Sequence, residues 1–170
     1  MKKIILSLLS ILIFACNSSY CQTDQNIRPA FTLKLFVDDS TFYQAPMGAT
    51  KYVPKDGVVQ IFPGEKLFIE AEIRNDSLVN LKTVTEITHK EKTLTIAFIQ
   101  EHKDKVHEQM VLHINNPFSK KLTYRAHIDL MKQKKWVETD VVPLFPSVLG
   151  NETWQDLITT IALSDFCLKK

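Results

Sequence analysis

Apolar side chains recur at every second position through most of this chain, and that period limits what it can fold into. Phe31, Leu33, Leu35 and Val37 alternate with Thr32, Lys34 and Phe36. Leu67, Ile69, Ala71 and Ile73 alternate with Lys66, Phe68, Glu70, Glu72 and Arg74. Leu94, Ile96 and Phe98 follow the same pattern, as do Met110, Leu112 and Ile114. The cleanest run sets Leu122, Tyr124, Ala126, Ile128 and Leu130 against Thr123, Arg125, His127 and Asp129. In an extended strand this period sends one set of side chains to each face, so every run needs cover on one side only. Shorter stretches at 58–62, 79–88 and 136–142 read as further strands.

Turn-forming clusters separate the runs: Asp56-Gly57, Pro63-Gly64-Glu65, Asn75-Asp76-Ser77 and Asn115-Asn116-Pro117. All four glycines fall between runs and none inside one. Helical segments of the kind a parallel α/β sheet needs between its strands are missing. The spacing predicts one all-β antiparallel domain over residues 30–170, a sandwich or barrel of about 8–9 strands. Two stretches break the pattern. Residues 37–53 lack strong periodicity and read as a loop. Near residues 152–157, Asn151 offers a helix cap and predicts one short helical turn before a final strand, with a helix running through to Leu163 as the alternative.

The N-terminus carries a different signal. Met1-Lys2-Lys3 precedes an uncharged apolar run over residues 4–15, too short for the roughly 20 residues of a membrane-spanning helix. A basic start and a short apolar run have the form of a secretory signal peptide. Leu12-Ile13-Phe14-Ala15-Cys16 resembles a bacterial lipobox, which implies cleavage after residue 15 and acylation of Cys16. The rival site lies after Cys21, giving a signal of residues 1–21. Residues 16–29 then read as a polar tether. Cys21 and Cys167 can pair in an oxidising compartment, tying the tether to the last strand. Removing residues 1–15 takes away two lysines and no acid, so the formal charge of +2 falls to zero. A chain without net charge has no global field to attract nucleic acid.

No glycine-rich phosphate loop, Cys-x-x-Cys, His-Glu-x-x-His or Gly-x-Ser-x-Gly occurs. The sequence therefore points to a non-enzymatic protein without a cofactor, and to a hydrolase only if its catalytic groups are scattered. Two candidate binding sites remain. If residues 115–121 close a hairpin with Ile114 opposite Leu122, then His107 faces Asp129, and His107, His113, His127 and Asp129 share one polar face. Imidazoles beside a carboxylate suit a metal such as zinc or copper, or a pH-responsive surface. In the expected loop, Phe42, Tyr43 and Tyr52 are the aromatic candidates for contact with a protein or small ligand.

The segment built around Pro63-Gly64-Glu65 and leading into Leu67-Phe68-Ile69-Glu70-Ala71 resembles the early strands of immunoglobulin-like sandwiches. Asn115-Asn116-Pro117 before Leu122-Thr123-Tyr124 is similar to strand openings of that class. From Phe31 to Leu168 the chain also looks like small uncharacterised bacterial envelope proteins. The likeness covers the fold; with the N-terminal signal and the missing motifs, the expectation is a lipid-anchored or secreted binding or structural module in the outer membrane or periplasm, with the membrane met through the lipid anchor only. The likeness carries no catalytic residue across.

Overall fold

A computed structural model describes residues 26–55, 57–133 and 135–170. Cys16, Cys21 and the signal segment lie outside the described residues. The strands are β1 (Ile27–Arg28), β2 (Phe31–Phe36), β3 (Phe42–Met47), β4 (Thr50–Lys51), β5 (Val59–Ile61), β6 (Glu65–Arg74) and β7 (Ser77–Val84), then β8 (Thr93–Lys103), β9 (Val106–Asn115), β10 (Lys121–Leu130), β11 (Lys135–Thr139), β12 (Leu149–Trp154) and β13 (Ile158–Lys169). One 3-10 turn at Lys90–Lys92 is the sole helical element among the described residues.

Nine strands form one sheet in the order β11-β10-β13-β7-β6-β8-β9-β12, with β5 added on β13. Its pairings are all antiparallel. The alternating apolar sets explain how it closes. Leu67 and Ile69, Leu94 to Phe98, Met110 to Ile114, Leu122 to Leu130 and Ile161 to Leu168 supply buried residues to one shared core. A sheet with one apolar face curls around that face to keep it from water. Its two terminal strands come together: the Trp154 indole on β12 donates to Thr139 Oγ1 on β11 at 3.1 Å. Leu144, between those strands, exchanges both backbone hydrogen bonds with Leu122 of β10 at 2.9 Å. The result is a sandwich-like all-β fold made chiefly from one curled sheet. The β2–β3 hairpin adds Leu33 and Leu35 to the same core.

Local chemistry sets the turns. Asn75 and Asp76 both take positive φ, 50° and 61°, as a two-residue hairpin between right-twisted strands requires.

Four expectations need correction. The turn of helix near residues 152–157 is absent. Instead Asn151, Glu152 and Thr153 pair with His113, Leu112 and Val111, because β9 offers an open edge and β-branched Thr153 suits it. The loop expected over residues 37–53 contains β3 and β4; β3 alternates exposed and half-buried positions, but its apolar residues are too mixed to show a period. Within the stretch expected to be tether, Ile27–Arg28 forms a strand that pairs with Thr50–Lys51. Finally, β9 and β10 do not pair. Both edges of β9 are taken, by β8 and β12, and both edges of β10, by β11 and β13.

Arg28 anchors β1 to the rest of the domain. It is 2% exposed. Its guanidinium forms a two-pronged pair with Glu65, bonds Thr50 Oγ1 at 2.8 Å and Gln60 O at 2.9 Å, and lies 4.3 Å from the Tyr52 ring centre. Glu65 also accepts the Phe62 amide at 2.8 Å. A buried charge is tolerable only when paired and hydrogen-bonded in this way.

Candidate functional site

With the β9–β10 register gone, the histidine cluster disperses. His107 sits on β9, its Nε2 3.0 Å from Gln155 O and its Nδ1 3.0 Å from Gln100 Nε2. A carbonyl only accepts, so in the neutral ring Nε2 carries the proton and Nδ1 receives the Gln100 amide. His113 bonds Asn151 Oδ1 at 2.6 Å. His127 lies in β10 between Glu138 and Ala162, and Asp129 accepts the Thr159 hydroxyl at 2.6 Å. Each of these four is therefore placed by its own strand neighbours. No group of three or more His, Cys, Asp or Glu residues is arranged to hold a metal among the described residues.

The three aromatic candidates also part. Tyr52 stacks on Arg28, and Tyr43 packs against the core opposite Leu35. Phe42 stays exposed, with the Lys34 ammonium 4.4 Å from its ring centre. Cys167 is half-buried in β13 and lines a groove of about 520 Å³ with Ser77, Asp165 and Lys55.

The feature that sequence reasoning missed is the stretch 142–149, Val-Pro-Leu-Phe-Pro-Ser-Val-Leu. Val142 is 66% exposed, Phe145 65%, Leu149 57% and Val148 43%. Both prolines are exposed, Leu144 alone is buried, and Ser147 is the single polar side chain. A run of adjacent exposed apolar residues is uncommon on a protein surface and marks a contact site. A signal was available: two prolines within an apolar run bar it from an interior strand while leaving it apolar.

This loop is held from below. Asn116 is fully buried. Its side-chain amide donates to Leu144 O at 3.0 Å, Phe145 O at 3.1 Å and Lys120 O at 2.9 Å, and its Oδ1 accepts the Phe118 amide at 3.0 Å. Its backbone completes the frame, the N–H donating to Val148 O at 3.1 Å and the carbonyl accepting from Ser147 N at 3.0 Å. The Val148 amide turns back onto Phe145 O at 3.3 Å, and Glu152 accepts the Val142 amide at 2.7 Å. Leu144 plugs inward against Gly150, where any Cβ would overlap its Cδ2. Any larger residue there would require the Leu144 side chain to move.

Basic residues flank the loop. The antiparallel bridge of Leu122 with Leu144 puts Lys121 beside Phe145, and the β10–β13 ladder puts Lys169 beside Lys121. Lys120 is paired with Asp76. Past Asn116, a shallow groove of about 370 Å³ opens between Ile73, Pro117, Phe118 and Leu168.

No family model, curated protein or solved structure matches the chain.

Proposed function

We propose that this protein is an exported, lipid-anchored envelope module that works by surface contact rather than by catalysis, with the loop at residues 142–149 as its contact surface. The observation that carries this reading is the rigid presentation of exposed apolar side chains on a buried asparagine. A loop ordered before binding loses little entropy on association, so its apolar area converts efficiently into affinity. Export and anchoring rest on the basic-apolar N-terminus and the lipobox-like residues ending at Cys16. On that reading the domain works close to a membrane, joined to its anchor by the residues that precede β1.

Two measurements test the proposal. Mass spectrometry of the mature protein from the envelope fraction should find an acylated N-terminal Cys16. A chain starting at Gln22, or an uncleaved cytosolic chain, overturns the anchor. A photoreactive phenylalanine analogue at position 145 should crosslink in the envelope, whereas the same group at the exposed position 108, far along β9, should not. Equal yields at both positions overturn the loop as contact surface.

A further inference from the structure

From the same loop we infer that the contact is with an anionic lipid surface, which the apolar residues Val142, Phe145, Val148 and Leu149 enter while Lys121 and Lys169 meet the headgroups. This rests on the reading that the loop is the contact surface, and goes beyond it by naming what is contacted.

Three observations favour lipid. The first is the state of the backbone. A segment entering hydrocarbon must carry its polar groups already satisfied, since nothing there replaces water. Of the eight residues at 142–149, two are prolines with no N–H, and the amides of Val142, Leu144, Ser147 and Val148 are bonded within the protein. The carbonyls of Leu144, Phe145 and Val148 are taken as well, by Asn116 or Leu122. The loop thus offers apolar side chains over a backbone in which four amides and three carbonyls are already satisfied within the protein.

The second is charge. Lys121 stands next to Phe145, with Lys169 beside Lys121 on its far side, and neither lysine forms an ion pair among the described residues. Of the carboxylates around the loop, Asp76 is paired with Lys120, while Glu152 keeps its charge and accepts the Val142 amide. Lysines rimming an apolar prong are the arrangement that joins insertion to electrostatic attraction at an anionic interface. The third is the composition of the prong: one aromatic and three aliphatic side chains project, with Ser147 as the sole polar one.

The test uses the full chain carrying Phe145→Trp, reconstituted on phosphatidylcholine vesicles with and without phosphatidylglycerol and containing lipids brominated on their acyl chains. The expected result is quenching of the added emission, above that of the unsubstituted chain, on the phosphatidylglycerol vesicles. Lys121→Gln and Lys169→Gln should each weaken that docking about fivefold at low salt. Val142→Trp provides a second probe if the first variant does not fold. Absence of excess quenching from both probes overturns the inference, and so does equal quenching on neutral vesicles that ignores the lysines. If crosslinking at position 145 then captures a protein in the envelope, the contact reading stands and only the lipid assignment fails.

Discussion

Tyr124 is the one buried side chain among the described residues whose polar atom has no hydrogen-bond partner. It lies on the core face of β10, stacked at 6.0 Å on Phe166. Burial first, and the Glu152 carboxylate second, hold its ionisation above the ordinary range. A buried hydroxyl without a partner costs free energy that the ring's packing has to offset. Tyr124→Phe should therefore stabilise the protein by about 1 kcal/mol in urea denaturation; a loss of stability would show that the hydroxyl is satisfied. Glu70 makes the opposite case. The hydrogen bond from Lys82 holds its carboxyl below the usual value near 4.5, against a smaller opposing effect of burial. A depressed folded pKa contributes stability that is present above the unfolded pKa and is lost as pH falls through the folded one. Lys82→Met should then lower stability at pH 7, with the difference from the parent chain vanishing in acid, below the pKa of Glu70. A gap of equal size at pH 3 and pH 7 would contradict this.

Besides its buried leucines, the β2–β3 hairpin is tied to the main sheet by hydrogen bonds from one side chain. Gln100 of β8 donates to Phe36 O at 2.7 Å and accepts from Phe36 N at 2.9 Å, filling the place of a neighbouring strand. The same amide reaches His107. Gln100→Ala should cost about 2 kcal/mol, two net hydrogen bonds' worth, and should speed amide exchange in β2 and β3 relative to the β10–β13 ladder. Uniform exchange across both regions would mean that the hairpin is held by its buried leucines alone. At this scale the sequence was legible where a strand's own period is strong: β2, β6, β8, β9 and β10 all fall on predicted runs. It was not legible at β3 and β12. In β12 the sequence Leu-Gly-Asn-Glu-Thr-Trp has neither period, and its extension comes from the open edge of β9.

Over the whole molecule, Arg28 welds the N-terminal segment to the curled sheet. It lies 37 residues from Glu65 and draws β1, β4, β5 and β6 to one point. Arg28→Met should cost about 3–5 kcal/mol, because it leaves the Glu65 carboxylate without its partner in a largely buried site. The double variant with Glu65→Met should recover much of that loss, since the charge requiring compensation is gone. Additive losses in a double-mutant cycle would show the pair to be independent. What the amino-acid order determined unaided was the strand class of the fold, the placement of most turns and the identity of the inward side chains, because those follow from spacing between residues close along the chain. Strand partners were a different matter. Edge for edge, β9 chose β8 and β12 over β10, and that outcome scattered His107, His113, His127 and Asp129. Competition among distant edges and the closure of the sheet also left the proline-interrupted apolar run outside, standing on Asn116. No local period records either result, since each depends on contacts that exist only after the chain has folded.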